Sequence, residues 1–353
     1  MTGDKPILVT GASGFIGAWI VETLYLRGYT RVRAGIRSWT SAARLARFPV
    51  DICLCDVMDN AQLAAASEGV NIIIHCAKGS RMVNVEGTRN VIDQARTLGI
   101  SRLVHLSTAE VYGEPCGVID ETAPLKPRGD EYADSKIEAE KLCWESIARG
   151  VPITILRPSI VYGPFCEWWT VRFAERLQSG NWGIFKGVGE GFCNLVYVSD
   201  LVSAVLIAAE NEAAIGEAFN INGPERLTWN DYFKEFNKAL ELPDLQEIQP
   251  SDLKMKSIFM EQIRRIGYLM LDHYRDPIMK LYQRVASFKK LVKLTQTSVR
   301  TTPIPSELRL FNRSAIYSSQ KAEERLGFRS QFDLVRGLQL SVSWLEHLGY
   351  LCY

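Results

Sequence analysis

The first half of the chain alternates short apolar runs with stretches whose apolar residues recur at helical spacing. Such runs, bounded by turn residues, are typical of buried strands, and the periodic stretches are typical of amphipathic helices. After the first run, Phe15, Trp19 and Ile20 fall on one helical face. Strands that alternate with helices predict an α/β fold with a doubly wound, parallel (Rossmann) sheet. The predicted strands are Ile7–Val9, Arg31–Ile36, 51–56, Asn71–Ala77, Arg102–Leu106 and Ile153–Leu156.

A glycine-rich turn joins the first predicted strand to the first helix and contains Gly11, Gly14 and Gly17. A turn of this kind brings bare backbone N–H groups and a helix N-terminus against a pyrophosphate. A side chain at Gly11 or Gly14 would block that approach, and one at Gly17 would push the helix off the sheet. The turn therefore predicts a dinucleotide-binding site.

The end of the second predicted strand bears on the choice of dinucleotide. In such folds an acidic residue here accepts from the ribose 2′-OH, whereas an arginine accommodates a 2′-phosphate. This chain has Arg37 followed by Ser38, with no acidic residue. The pattern favours NADP(H), with NAD(H) kept as the alternative, and Arg44 is a second, weaker candidate for the phosphate contact.

The regular alternation of predicted strands and helices ends after Val161, which indicates a second domain interleaved with the first. We expect residues 1–162, with 194–222 returning to them, to form the dinucleotide-binding domain. Residues 163–193 and 223–353 are expected to form a smaller, mainly helical substrate-binding domain. Within it, 252–300 looks like a basic helical, lid-like insertion, with 11 Lys and Arg against 4 acidic residues. A solvated lid over the site is the simplest interpretation, and the alternatives are membrane-surface contact or an anionic substrate or partner.

Bulk composition narrows the class of protein. The chain has 353 residues, 47% of them hydrophobic, which is enough for a sizeable core. A net charge of +1 argues against bulk binding of nucleic acid. The 8 cysteines show no zinc-ligand spacing, so no metal site is predicted and reduced thiols are expected. Because the first strand begins near Lys5, we expect no leader and a cytoplasmic protein.

Candidate chemistry centres on Tyr132 and Lys136, which share one helix face at i, i+4. The side chain of a free tyrosine has a pKa of ~10, and we expect the neighbouring Lys136 ammonium to lower the pKa of Tyr132. Tyr132 would then exchange a proton with a substrate hydroxyl or carbonyl while hydride moves to or from a nicotinamide. Thr108, after the fifth strand, would polarise the same oxygen. His75, inside an apolar strand, is interpreted as a core histidine.

These motifs together resemble the extended short-chain dehydrogenase/reductase superfamily, in its NAD-dependent epimerase/dehydratase-like branch. The resemblance covers about residues 5–245 and returns at 321–328. It implies that Asp56 meets the adenine amino group, that Lys136 also holds the nicotinamide ribose, and that the backbone around 158–160 meets the carboxamide. The motifs that carry it are Gly11–Gly17, Asp56, His75–Ala77, Asn84–Thr88, Ser107–Thr108 before Val111–Gly113, Tyr132 with Lys136, and Arg157–Pro158.

The residues predicted for the site fall into three groups. The catalytic residues are Thr108, Tyr132 and Lys136. The cofactor-binding residues are Gly11, Ser13, Gly14, Phe15, Ile16, Gly17, Arg37, Ser38, Asp56, Val57, Cys76, Ala77, Tyr132, Lys136, Pro158 and Ile160. The candidate substrate residues are Lys78, Ala109, Glu110, Trp168 and Trp169.

Departures from the family pattern narrow the expected reaction. Ala109 stands where sugar-nucleotide 4,6-dehydratases carry the aspartic acid that expels water, which disfavours dehydration. Cys193 stands where many nucleotide-sugar enzymes carry an arginine for the substrate pyrophosphate, which weakens the case for a nucleotide-sugar substrate. The connection 78–83, between the fourth strand and the next helix, is shorter than is usual in the family. We expect an NADP(H)-dependent oxidoreductase that interconverts a ketone and a secondary alcohol, forming a homodimer. The alternatives are a nucleotide-sugar 4-epimerase with retained NAD, and an NADP(H)-binding regulatory protein without turnover.

Overall fold

The protein divides into two compact units in a computed structural model that describes residues 5–249, 258–262 and 301–351. The sheet unit comprises Met1–Tyr162, Asn194–Pro224 and Ala315–Asp333. The helical unit comprises Gly163–Cys193, Glu225–Ser314 and Leu334–Tyr353. Apart from 258–262, the predicted basic insertion at 252–300 lies outside the described residues.

The strands are short and the helices that alternate with them are longer. The strands are β1 (Ile7–Thr10), β2 (Val32–Ile36), β3 (Asp51–Leu54), β4 (Ile72–His75), β5 (Arg102–Leu106), β6 (Gly117–Ile119), β7 (Ile153–Pro158), β8 (Ile160–Tyr162), β9 (Ile184–Phe185), β10 (Leu195–Tyr197), β11 (Ala218–Ile221), β12 (Glu247–Ile248) and β13 (Ala315–Tyr317). The helices are α1 (Phe15–Leu26), α2 (Asn60–Ser67), α3 (Arg81–Leu98), α4 (Glu131–Ile147), α5 (Arg172–Gln178), α6 (Val198–Glu210), α7 (Trp229–Ala239), α8 (Pro305–Phe311), α9 (Gln320–Leu326) and α10 (Leu334–His347).

A seven-stranded sheet in the order β11-β7-β5-β4-β1-β2-β3 forms the centre of the sheet unit, and all its pairings are parallel. Successive strand residues face opposite sides of a sheet. Accordingly, Ile7 and Val9 join one core layer with α1 and α6, whereas Leu8 joins the other with α2, α3 and α4. The predicted doubly wound α/β fold is confirmed.

The C-terminal boundary predicted for the second domain is wrong, because Ala315–Asp333 belongs to the sheet unit. β13 pairs in parallel with β6, and the Asp200 carboxylate accepts hydrogen bonds from Ser330 and from the Gln331 backbone. These long-range contacts tie the segment to the sheet unit. Strands of three residues such as β6 and β13 carry too little periodicity for the sequence to reveal their pairing.

Aromatic packing holds the helical unit together. Phe173 of α5 stacks on Trp229 and Phe233 of α7, and Trp182 meets Phe185 of β9 edge to face at a centroid distance of 4.8 Å. Such offset and edge-to-face pairs add to the stabilisation from buried area. Within the described residues, no helix combines the length and apolar character needed to cross a membrane.

Candidate functional site

The glycine turn after β1 is shaped by close backbone contacts. Gly11 has a φ of +65°, and a Cβ there would lie 2.7 Å from the Ala77 backbone. A Cβ at Gly17 would lie 2.3 Å from the Gly11 carbonyl oxygen. Gly14 is the N-cap of α1 and offers no side-chain acceptor, and the first turn of α1 has no acidic residue. The first amides of α1 are therefore available to an anion, which fits the pyrophosphate of a dinucleotide.

Most other predicted cofactor residues follow the carboxyl ends of neighbouring parallel strands, the edge where ligands bind in such sheets. The exceptions lie in the glycine turn and on α4. Arg37 and Ser38 follow β2, Asp56 and Val57 follow β3, Cys76 and Ala77 follow β4, and Pro158 and Ile160 lie at the junction of β7 with β8. Ser13, Phe15 and Ile16 are half-buried beside the glycine turn.

Arg37 and Arg44 differ in their availability to a ligand. Arg37 is exposed and has no ion-pair partner in the part of the chain that the structure describes. Arg44 forms an ion pair with Glu22 at 2.9 Å and lies over the Trp19 ring. Because Arg44 is already paired, the structure leaves Arg37 as the better candidate for a phosphate contact.

Thr108, Tyr132 and Lys136, here called the tyrosine cluster, come together in the sheet unit. Thr108 is buried just after β5, and its side chain lies near enough to that of Tyr132, in the first turn of α4, to lower the Tyr132 pKa. Lys136, one turn further along α4, is buried and donates through Nζ to the Leu106 carbonyl oxygen at 2.8 Å. The cluster thus places a phenol, a hydroxyl and an ammonium at the end of β5.

The expected lowering of the Tyr132 pKa is wrong. Burial raises the pKa of Tyr132 to about 12, although the Thr108 side chain acts in the opposite direction. Burial, aided by the nearby Lys78 charge, lowers the pKa of Lys136 to about 8. Desolvation of the phenolate, together with the negative charges of Glu110 and Asp130, outweighs the opposing contribution of Thr108. At neutral pH Tyr132 is therefore protonated and suited to donate a proton.

A cavity of about 310 Å³ opens beside Tyr132. Its lining residues are Lys78, Gly79, Arg81, Asn84, Glu131 and Tyr132. The Lys78 ammonium lies 4.9 Å from the centre of the Tyr132 ring, which is a cation–π distance. The structure therefore brings the predicted substrate residue Lys78 to the tyrosine cluster.

A second polar group, here called the carboxylate cluster, lies buried beside the first. Glu140 accepts from Ser107 Oγ at 2.5 Å and from Arg157 Nη2 at 2.6 Å, and Arg157 also donates to Tyr112 Oη at 2.8 Å. Although burial opposes a charge, the hydrogen bonds and charge of Glu140 raise the pKa of Arg157. The sequence reasoning missed this cluster; its signal was Glu140, one helical turn beyond Lys136 on the same face.

Other predicted residues lie elsewhere or have other partners. Ala109 is buried in an apolar cluster with Tyr112, and Glu110 forms an ion pair with Arg128 at 2.6 Å. Trp168 and Trp169 belong to the helical unit, where Arg172 lies over the Trp168 ring and Phe173 stacks on Trp169. Each of these four candidate substrate residues therefore packs against, or pairs with, another part of the protein.

His75 has the environment of a structural histidine. Its ring nitrogens are 2.8 Å from Thr10 Oγ1 and 3.1 Å from Thr88 Oγ1. Burial lowers the pKa of His75 to about 3, so the ring is neutral. Both nitrogens are engaged within the core, which agrees with the interpretation from the sequence.

Comparison with known proteins identifies the family. Residues 7–222 match the model of the NAD dependent epimerase/dehydratase family. The chain is 25% identical to a 3beta-hydroxysteroid-dehydrogenase/decarboxylase isoform of Arabidopsis thaliana, over 98% of this chain and 80% of that protein. It is 27% identical to a UDP-glucose 4-epimerase of Vibrio cholerae, over 69% of this chain and 80% of the epimerase.

A solved structure supports the fold. The UDP-glucuronic acid 4-epimerase of Bacillus cereus, crystallised with NAD, superposes with a TM-score of 0.69 at 18% identity, covering 97% of this chain and 99% of the epimerase. The family match spans β1 to β11 and so includes the glycine turn and the tyrosine cluster. The chain therefore belongs to the NAD-dependent epimerase/dehydratase family of the extended short-chain dehydrogenase/reductase superfamily.

Proposed function

We propose that this protein is an NADP(H)-dependent oxidoreductase that interconverts a ketone and a secondary alcohol. The observation that carries the proposal is the convergence of Thr108, Tyr132 and Lys136 at the end of β5. Tyr132, protonated at neutral pH, can supply the proton that the developing alkoxide must gain when the ketone is reduced. We further propose that the helical unit contributes the substrate-binding surface, including Trp168 and Trp169.

Each side chain of the tyrosine cluster has a distinct task in this proposal. The nicotinamide of a bound dinucleotide supplies or accepts the hydride. Tyr132 donates its phenolic proton to the oxygen that develops negative charge, and Thr108 hydrogen-bonds the same oxygen. Lys136 keeps one N–H on Leu106 and has donors left for a ribose hydroxyl.

The choice of NADP(H) depends on Arg37. Its exposed guanidinium follows β2, where the adenosine ribose lies in dinucleotide folds, and no acidic side chain stands beside it in the sequence. A guanidinium binds a phosphate with paired hydrogen bonds. The family is NAD-dependent in the broad sense, and the phosphate preference is the part that we propose.

The second candidate is a nucleotide-sugar 4-epimerase that retains NAD. It is favoured by the similarity to a UDP-glucose 4-epimerase over most of this chain. An epimerase oxidises and re-reduces one carbon, so it consumes no added dinucleotide. An oxidoreductase of the proposed kind consumes one NADPH for each ketone that it reduces.

The test starts with the dinucleotide that the purified protein binds. We expect NADP(H) to bind at least about tenfold more tightly than NAD(H), since a charge-assisted contact contributes roughly 1.5–3 kcal/mol. Arg37→Ala should remove most of that preference, and Arg47→Ala on the following turn is the matched control. Calorimetric titration measures both. If Arg37→Ala lowered the affinities for NADP(H) and NAD(H) by equal factors, the cofactor assignment would be contradicted.

The reaction class is tested with the same protein. Oxidation of NADPH in the presence of a ketone panel supports the proposed oxidoreductase. Conversion of UDP-glucose to UDP-galactose without added dinucleotide would instead support the epimerase.

A further inference from the structure

Lys78 and Arg81 are the cationic residues that line the cavity beside Tyr132, and Lys78 is the one that contacts the Tyr132 ring. Its ammonium lies 4.9 Å from the Tyr132 ring centre, and both residues line the cavity of about 310 Å³. The Lys78 charge also lowers the pKa of Lys136, so it is felt within the tyrosine cluster. An anionic group of a ligand placed in the cavity would be attracted by the Lys78 ammonium.

The carboxylates around this cavity already have partners. The Glu131 carboxylate accepts from the Arg81 backbone N–H at 3.1 Å, and Arg81 is paired through its guanidinium with Glu138 at 2.5 Å. Glu110, whose charge acts on Tyr132, is paired with Arg128. Within the described ranges, Lys78 has no carboxylate within ion-pair distance. Its charge is therefore available to a ligand.

The backbone that carries Lys78 is held in place. Asn84 is buried, accepts from the Gly79 N–H at 3.0 Å and donates to the Gly79 carbonyl at 3.2 Å. The same amide donates to Ser135 Oγ of α4 at 2.9 Å. Asn84 thus fixes the turn after Lys78 to the helix that carries Tyr132. Such preorganisation reduces the entropy that ligand binding must overcome.

We propose that Lys78 binds a carboxylate of the substrate, whose reacting oxygen is held by Tyr132. The inference depends on the proposed function and narrows its substrate class to oxo or hydroxy acids with the carboxylate close to the reacting carbon. A single ammonium matches the single charge of a carboxylate. A phosphate would call for more donors, and the Arg81 guanidinium is already paired with Glu138.

The experiment compares a hydroxy acid with its uncharged ester. The probes are 3-hydroxyoctanoate and its methyl ester, which differ in charge and little in shape. Ligand-observed NMR titrations measure their binding to the NADP-loaded full chain, in the wild type and in Lys78→Met, Lys78→Arg and Lys141→Met. Lys141 is exposed on α4 and does not line the cavity. Calorimetric titration gives the NADP affinity of each variant.

We expect the wild type to bind the acid at least about tenfold more tightly than the ester, as a charge-assisted hydrogen bond allows. Lys78→Met should equalise the two probes, whereas Lys78→Arg and Lys141→Met should keep the preference. Equal binding by the wild type, or a preference that survives Lys78→Met, would overturn the inference. So would a loss of NADP affinity in Lys78→Met, since Lys78 would then serve the cofactor.

A separate readout keeps the proposed function distinct. Turnover of 3-oxooctanoate with NADPH is measured for the same proteins. A Lys78-dependent preference for the acid without any NADPH oxidation supports the carboxylate site and counts against the oxidoreductase proposal. If 3-oxooctanoate and its methyl ester are reduced at equal rates and bind with equal affinities, the oxidoreductase proposal is supported and the carboxylate site is overturned.

Discussion

The tyrosine cluster and the carboxylate cluster lie side by side on α4 and use similar polar residues, but their hydrogen bonding differs. In the carboxylate cluster Glu140 and Arg157 are joined by several hydrogen bonds, and Ser107 and Tyr112 complete the network. In the tyrosine cluster the Lys136 ammonium makes one hydrogen bond with the described residues and has further donors. A buried polar group whose hydrogen bonds are all made within the protein stabilises the fold, whereas a group with unused hydrogen-bond donors can bind a ligand.

Adjacent residues of the chain are divided between the two clusters. Ser107 bonds to Glu140, and Thr108 lies close to Tyr132. The carboxylate cluster therefore fixes the end of β5 through Ser107 and presents Thr108 to Tyr132. We interpret Glu140 as a positioning residue and Tyr132 as the proton donor.

The largest effect is expected from Tyr132→Phe. Loss of the phenolic proton should reduce ketone reduction by about 10²–10⁴-fold, the range for a general acid. The melting temperature and the dinucleotide affinity should stay close to those of the wild type. Steady-state kinetics, thermal unfolding and calorimetric titration measure the three properties. A parallel loss of dinucleotide binding would mean that Tyr132 supports the cofactor site and would break the division between the clusters.

Glu140→Ala should act mainly on stability. The substitution leaves the Arg157 charge buried without its partner, which costs about 3–5 kcal/mol of unfolding free energy. Glu138→Ala is the matched control, because its ion pair with Arg81 is partly exposed and contributes about 0–1 kcal/mol. Chemical denaturation measures both variants. A Glu140→Ala protein as stable as Glu138→Ala would remove the structural role assigned to the carboxylate cluster.

The smallest predicted effect is a pH dependence. Ketone reduction needs protonated Tyr132 and charged Lys136, with pKa values of about 12 and about 8. Because loss of either proton harms reduction, the rate should be flat below pH ~7 and fall about tenfold between pH ~7 and ~9. Alcohol oxidation needs Tyr132 to accept a proton and should rise with pH. The pH profiles of kcat/KM for reduction and for oxidation test these two opposite trends. A reduction rate that rises with pH would contradict the prediction.

The sequence predicted the sheet and the tyrosine cluster because their signals are local. Strand periodicity, the glycine turn and the spacing of Tyr132 and Lys136 all fall within short windows of the chain. The predicted sheet strands are found with ends shifted by a few residues; for example, 51–56 becomes Asp51–Leu54. The helix positions of Tyr132 and Lys136 follow directly from their spacing.

The remaining features depend on contacts between distant residues. The pairing of β13 with β6 joins residues almost two hundred positions apart. The sign of the Tyr132 pKa shift depends on burial, which the i, i+4 spacing to Lys136 does not reveal. The bond between Ser107 and Glu140 also needs the packing of α4 against β7 and against the turn Ala109–Tyr112. These features became visible only in the three-dimensional structure.

If the tyrosine cluster catalyses hydride transfer between NADPH and a ketone, as we propose, hydrogen from C4 of the nicotinamide must appear on the product alcohol. NADPH that carries deuterium at both C4 positions of the nicotinamide is supplied with 3-oxooctanoate, and the product is analysed by mass spectrometry. We expect one deuterium in the alcohol for each NADP⁺ that the wild type forms, and deuterated alcohol to form about 10²–10⁴-fold more slowly with Tyr132→Phe. Deuterated alcohol formed at the same rate by Tyr132→Phe and the wild type, or alcohol without deuterium, would overturn this role of the tyrosine cluster.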